Sequence, residues 1–395
     1  MNQTVVNFDD TSVAFAAKSD ADLFKTYLLF STMKYPWLVK LGTAMTNLAL
    51  ALHLPVKGLI RKTLFQQFCG GETIEQCRDA IEGLGAYQVD TILDYSVEGQ
   101  ATEESFDATL EEALRVADFA AKEEKIPFCV IKLSGLGDTQ LMAKRQAGEP
   151  LTEEELARYE RFEQRVHQLA ARVAAGGTCF MIDAEETWIQ EEIDRIAYEM
   201  MRQFNRERAV VVNTYQLYRH AALGRMQRAY EELSREDLFF GAKLVRGAYM
   251  EKERERAEEM GYEDPIQKSK EDTDRDYNLA IDFALDHIDR FSVCVGTHNE
   301  YSSAYVVEAV DARGISPGDS RVYLSQLLGM SDNISYQLAH LGFNVAKYVP
   351  YGPVQKVLPY LFRRADENTS IAGQSGRELS LVKRERVRRR QLKDV

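Results

Sequence analysis

The segment Tyr360-Leu361-Phe362-Arg363-Arg364-Ala365-Asp366-Glu367-Asn368 is rich in helix formers. As a helix it sets Tyr360, Arg363, Arg364 and Glu367 at i, i+3, i+4 and i+7, on one face. An aromatic ring, two guanidinium forks and a carboxylate are the wrong chemistry for a core stripe. They suit the grip of a small anion: adjacent arginines hold a carboxylate through charge-assisted hydrogen bonds, and the glutamate orients a guanidinium plane. A solvated surface helix with an Arg363–Glu367 ion pair is the plainer reading of this stretch alone. Pro359 sets either the start of the helix or a kink in it.

Other chemistry-bearing residues follow short apolar runs. Beyond about residue 88, β-rich runs alternate with stretches of helical periodicity, the signature of parallel βα units. Eight runs stand at 91–97, 128–132, 178–182, 210–213, 241–245, 291–296, 322–327 and 344–348. Eight closes a (βα)8 TIM-type barrel, with chemistry at the C-terminal strand ends. Those ends carry Lys132, Asp183-Ala184-Glu185-Glu186, Thr214-Tyr215-Gln216, Lys243, Arg246-Gly247-Ala248-Tyr249, Thr297-His298-Asn299, Gln326-Leu327 and Tyr348. Each has a structural alternative. Lys132 can simply pair with Asp183, Gly247 can serve strand-exit geometry, and His298 can enter a helix capped by Asn299. Thr152–Glu155 reads as a capping box opening a helix to about Ala175, ended by Gly176-Gly177. The segment Gly135–Pro150 reads as a long polar loop over the barrel mouth. An open doubly wound sheet is the competing architecture, but GxGxxG after its first strand is missing.

The strand-end residues contain no serine–histidine–acid grouping and no HxH or HExxH spacing. With six histidines in the chain, a metal site is not expected. Cations outnumber anions around the rim, which suits an anionic substrate, a phosphorylated cofactor, or both. A net charge of -13 excludes nucleic acid as a main partner. Five dispersed cysteines without a CxxC pair fit a reducing compartment. The opening Met1-Asn2-Gln3-Thr4, with Asp9 and Asp10, lacks signal-peptide character. Residues 20–85 read as several helices outside the main domain, with either a buried or a membrane-surface apolar face and no membrane span. The expected division is a helical segment 1–87, a barrel 88–380 and a basic tail 381–395. Residues Lys383 to Lys393 hold seven bases and one acid. They form either a solvated basic helix or a contact with an anionic membrane.

Taken together, Ile182-Asp183-Ala184-Glu185-Glu186, Asn213-Thr214-Tyr215-Gln216, Lys243-Leu244-Val245-Arg246-Gly247-Ala248-Tyr249, Thr297-His298-Asn299 and the Tyr360–Asn368 segment resemble the FAD-dependent proline dehydrogenase family, in its single-function form. The resemblance implies a (βα)8 barrel with its last helix over the mouth. It implies hydride transfer from C5 of L-proline to N5 of FAD, giving Δ1-pyrroline-5-carboxylate, with electrons passed to a membrane quinone. Arg363, Arg364 and Lys132 would bind the substrate carboxylate, and Tyr348, Tyr360, Leu327 and Ala248 would enclose the ring. Gln216, Lys243, Val245, Arg246, Gly247, Ala248, Thr297, His298 and Asn299 would hold FAD, and Glu367 would orient the arginines on the cofactor side. Asp183 would organise Lys132, with Lys243 as the other catalytic group. Lysine at 243 departs from the arginine common in bacterial members. The expected location is cytoplasmic, peripheral on the inner membrane if the tail binds lipid. A hydroxyproline-oxidising relative and a non-redox amino-acid-binding barrel are the alternatives.

Overall fold

The computed structural model describes residues 6–52, 57–97, 101–370 and 374–393, with the side chains at 36, 40, 47–51, 57, 59, 365–370 and 374–375 outside that description. Eight strands form a closed barrel in sequence order. They are β1 (Val89–Tyr95), β2 (Phe128–Ile131), β3 (Cys179–Ile182), β4 (Val211–Gln216), β5 (Phe240–Val245), β6 (Phe291–Gly296), β7 (Val322–Leu327) and β8 (Asn344–Tyr351). The pairs β1–β8, β2–β3, β3–β4, β4–β5, β5–β6 and β6–β7 are all parallel. Short apolar runs split by helices cannot pair as hairpins, so parallel closure follows from their spacing. β4 runs on through Thr214, Tyr215 and Gln216, which the sequence placed after the strand. Thr214 and Tyr215 are good strand formers, and register opposite Lys243–Val245 of β5 carries the ladder to Gln216.

Among the described residues the chain divides into two units, 101–325 and 6–97 with 326–393. In the first, the capping box opens the Glu153–Ala175 helix: Thr152 N–H donates to Glu155 at 2.9 Å, and Glu155 N–H donates to the Thr152 hydroxyl at 3.2 Å. The expected Gly135–Pro150 loop instead contains a helix, Thr139–Gln146. Asp138 caps it, and Leu141 and Met142 bury there, which makes the turn worth forming.

In the second unit, β8 pairs with β1, setting Lys347 opposite Thr91 and Tyr348 opposite Ile92. Lys347 is fully buried. Its ammonium donates to Asp332 at 3.0 Å and to the Met330 carbonyl at 2.5 Å, while Lys18 reaches the other Asp332 oxygen at 3.4 Å. Burial alone would raise the Asp332 pKa; the two lysines hold it below the usual range. This ion cluster ties β8 to the segment just after Leu327.

The expected helices before residue 85 are present, notably Asp20–Met33, Pro36–Ala51 and Arg78–Gly85. The chain finishes with Leu358–Ser370 and Gln374–Gln391. Pro359 therefore stands in a first helical turn, where its missing N–H is no loss. The basic C-terminal helix is anchored at its start and exposed along much of Lys383–Lys393. Leu379, Leu381 and Val382 are buried, the last two beside Leu23 and Phe15. Arg384 pairs with Asp9 at 2.6 Å, Arg388 with Glu385 at 2.7 Å, and Arg389 with both Glu385 and Asp20.

Lys347→Ala leaves Asp332 buried with one opposite charge. It should cost about 3 kcal/mol in urea unfolding, and a second change, Asp332→Ala, should restore part of that loss.

Candidate active site

β2 and β3 are neighbours in register, Ile131 opposite Ile182, and Asp183 N–H donates to the Ile131 carbonyl at 2.9 Å. The ladder thus continues one residue past β3 and fixes the backbone from which the Asp183 side chain springs. One Asp183 oxygen accepts from the Lys243 ammonium in a short contact, and the other accepts from Lys132 at 3.4 Å. Lys243 is buried and Lys132 is 44% exposed, so one cation is sealed and the other faces outward. Burial pushes the Asp183 pKa up, and Lys243 and then Lys132 more than reverse it, so this acid stays ionised at neutral pH. The structure brings Lys132, Asp183 and Lys243 together; the Lys132–Asp183 pairing was anticipated, and the Lys243–Asp183 contact was not.

The turn after β3 rests on Glu185 and Gln216, which the sequence reading named, and on Gln190, Asp194 and Glu253, which it did not. Glu185 is buried. Its carboxylate accepts from Ser134 N–H at 3.0 Å, its own N–H donates to Gln190 at 2.7 Å, and its carbonyl accepts from Gln216 Nε2 at 2.7 Å. Gln190 and Asn213 both donate to buried Asp194. Glu253, fully buried, accepts from Thr187 N–H at 2.7 Å. Gln190 and Asp194 stand at i and i+4 among Ile189, Ile193 and Ala197 on the buried face of the Thr187–Phe204 helix. Polar residues on an apolar helical face were the available signal. Desolvation lifts Glu185 to about 7, opposed by its bonds to Ser134. Burial also lifts Tyr249 to about 12, with Lys132 opposing and Glu185 adding to the rise.

Beyond β5, Arg246 is held on every side. Nε donates to Asp274 at 2.8 Å, Nη1 to Thr297 Oγ1 at 2.8 Å and Nη2 to Ser302 Oγ at 2.9 Å, with the guanidinium 4.4 Å from the Tyr277 ring centroid. Gly247 has φ +135°, and a Cβ there would meet the Tyr218 ring at 2.5 Å. The glycine is required by the strand exit itself. Val245 and His298 are half-buried, Gly247 and Ala248 exposed, and Thr297 buried. Asn299 caps the Glu300–Ala312 helix, accepting from Ser302 N–H at 3.0 Å.

In the second unit, Tyr348 and Tyr360 are buried, and Leu327 is half-buried. Leu328 N–H donates to the Tyr348 carbonyl at 2.8 Å, linking the ends of β7 and β8. On the Leu358–Ser370 helix Arg363 is exposed, while Arg364 is half-buried with its guanidinium 5.2 Å from the Tyr360 ring centroid. The expected i, i+3, i+4 face is present for these three. The Glu367 side chain lies outside the described residues.

Architecture and strand-end chemistry first define a class, the parallel (βα)8-barrel enzymes that keep ionised groups at the C-terminal ends of their strands. The family model described as proline dehydrogenase matches residues 77–377, and the chain belongs to that family of oxidoreductases. It is 35% identical over 322 residues to the carbapenem antibiotics biosynthesis protein CarD of Pectobacterium carotovorum, covering 82% of this chain and 83% of that one. It is 44% identical over 241 residues to mitochondrial proline dehydrogenase 1 of Homo sapiens, covering 60% of this chain and 40% of the human protein. To the hydroxyproline dehydrogenase of Xenopus laevis it is 30% identical over 425 residues, covering 98% and 91%. The same fold occurs in proline utilization A of Bdellovibrio bacteriovorus, with TM-score 0.72 and 17% identity, over 92% of this chain and 37% of that one.

Glu185 holds its proton more tightly folded than at the ordinary 4.5, so stability present below that value is lost as pH rises through about 7. Glu185→Gln keeps the acceptor for Ser134 and removes the titration. Its melting temperature should fall less than that of the parent between about pH 5 and 8; parallel curves would show that Glu185 does not titrate there.

Proposed function

We propose that this protein is an FAD-dependent dehydrogenase that oxidises L-proline to Δ1-pyrroline-5-carboxylate and passes the electrons to a quinone. The observation that carries the reading is the Lys132–Asp183–Lys243 trio at the barrel strand ends of a proline dehydrogenase family member. A buried carboxylate flanked by two ammoniums leaves a fixed positive charge for an amino-acid carboxylate to meet. Asp183 holds Lys132 in position. Arg363 and Arg364 add the forked donors that match a carboxylate, and Tyr348, Tyr360, Leu327 and Ala248 enclose the pyrrolidine ring. Positioning and charge complementarity are the protein's share of the catalysis.

The residues of the 101–325 unit fit a flavin nucleotide. Exposed backbone at Gly247 and Ala248 lets a flat ring or a phosphate come close. Arg246 is already immobilised by Thr297, Ser302 and Asp274. Gln216, Lys243, Val245, Arg246, Gly247, Ala248, Thr297, His298 and Asn299 would hold FAD, with Glu367 beside the arginines. When bound, FAD supplies the acceptor for the hydride from substrate C5. Lys243 contributes a buried cation, and Gln216, fixed through Nε2 to Glu185, contributes an oriented amide.

Oxidation of hydroxyproline is the second reading, favoured by the end-to-end similarity to the Xenopus laevis hydroxyproline dehydrogenase. The bulk of Tyr348 favours the unsubstituted ring. The chain spans 40% of the human relative and 37% of the Bdellovibrio bacteriovorus protein, so the remaining functions of those longer proteins are not carried over.

Purified protein should be yellow, and L-proline should bleach its flavin bands with pyrroline-5-carboxylate as product. A colourless protein that binds proline without oxidising it would identify a non-redox binding barrel instead. Arg364→Met should raise the proline KM at least about tenfold, the value of one charge-assisted hydrogen bond, with little change in melting temperature. An unchanged KM would remove Arg364 from the substrate site.

A further inference from the structure

The turn between β7 and the Asp332–His340 helix contains two left-handed residues, Gly329 at φ +77° and Ser331 at φ +50°. Glycine adopts that conformation freely, whereas serine needs holding there, and the Ser331 side chain makes no cap hydrogen bond to the helix. The hold comes from 47 residues further on, where Glu378 accepts from Ser331 N–H at 2.5 Å. Glu378 is buried on the Gln374–Gln391 helix, and the next residue, Leu379, lies in one apolar cluster with Met330, Tyr360 and Leu361. The helix is thus seated against the turn it grips. Lys347 takes the opposite polarity of the same turn, donating to the Met330 carbonyl at 2.5 Å and to the Leu327 carbonyl at 3.4 Å. Gln67 Nε2 donates to the Gly329 carbonyl at 2.9 Å, and a Cβ on Gly329 would meet the Gln67 carbonyl oxygen at 2.2 Å.

What this turn carries is the end of β7 and its link to β8. Met330 N–H donates to the Leu327 carbonyl at 3.3 Å, and Leu328 N–H donates to the Tyr348 carbonyl at 2.8 Å. Ser335, in the first turn of the helix, donates its hydroxyl to Gln326 Oε1 at 2.7 Å, which fastens the helix start back onto β7. We propose that Glu378 is a positioning residue for the substrate ring: by holding Ser331 N–H it keeps the turn left-handed and so sets where Leu327 and Tyr348 stand. The inference rests on the proposed enclosure of the pyrrolidine ring by these two side chains. Reach, rather than charge, is the property of Glu378 that matters. Its carboxyl faces Asp332, Lys347 and Lys18, and burial, with Asp332 adding, lifts it to about 7 against the Ser331 bond and the two lysines. The neutral form is therefore well populated at neutral pH, and an oxygen that can accept from Ser331 is present in both forms. A role in balancing the two lysines would instead need the charge and tolerate a shorter side chain.

Two substitutions separate these roles. Glu378→Asp keeps the charge and withdraws the carboxylate by one methylene; Glu378→Gln keeps the reach and removes the charge. In steady-state kinetics with L-proline and a soluble dye, the aspartate variant should raise KM at least about threefold with kcat changed less, and the glutamine variant should stay within about twofold of the parent. Adding Ser331→Gly to Glu378→Asp should bring KM back towards the parent, because glycine takes the left-handed form unaided. Equal KM values for the parent and the aspartate variant overturn the proposal. So does a glutamine variant impaired more than the aspartate one, the order that charge balancing gives, and so does a double variant that recovers nothing. Amide hydrogen exchange over residues 328–335 reads the turn without substrate, and it should be faster in Glu378→Asp than in Glu378→Gln. If the parent oxidises no proline, the substrate reading fails, and the exchange order alone decides whether Glu378 holds the turn.

Discussion

A carboxylate kept ionised inside protein is the constraint around which the strand ends are arranged. Asp183 leaves water at a desolvation penalty of several kcal/mol for an isolated ion, and the compensation comes from two different strand ends. Lys132 follows β2, the neighbour of β3, and Lys243 lies within β5, one strand beyond β4, so the two contacts join three different strands. The second unit solves the same problem in the same way, with Asp332 between Lys347 and Lys18. In each case one lysine is sealed and the other is more open, which keeps the buried charge neutralised while leaving a cation near solvent.

Around this trio, order is supplied by hydrogen bonds among side chains rather than by packing alone. Arg246 has three separate acceptors and an aromatic ring beneath it, so its conformational entropy is already lost before any ligand arrives. Glu185, Gln190, Asp194, Asn213 and Gln216 form a chain of bonds beneath the turn that carries Asp183. A buried hydrogen-bonded network of this kind favours one arrangement, whereas an apolar filling would allow several.

The barrel was readable because its apolar runs have strand length and recur with helices between them. The Lys132, Asp183 and Lys243 positions were readable because strand ends are where barrel chemistry lies. Glu253 was not: within Met250-Glu251-Lys252-Glu253-Arg254 it looks like one surface acid among several, and only the Thr187 turn, 66 residues earlier, makes it a buried acceptor. The partners of the C-terminal arginines were hidden for a related reason, since Asp9 and Asp20 stand more than 360 residues away. The Thr139–Gln146 helix hid behind polar composition, with its anchoring contacts at Leu141 and Met142. Local pattern reports periodicity and caps; it does not report which polar group a distant segment will cover.

The unit that contains β1 and β8 is discontinuous, with residues 101–325 lying between its two parts. Leu23 and Phe15 belong to a cluster completed by Leu381 and Val382, and Phe30 and Met33 to one completed by Tyr360 and Leu361. During synthesis at about 5–20 residues per second, these N-terminal helices emerge on the order of tens of seconds before their partners do. Until residues 360–382 are made, Phe15, Leu23, Phe30 and Met33 lack these partners, and a chain stalled before that point would leave part of their apolar surface uncovered.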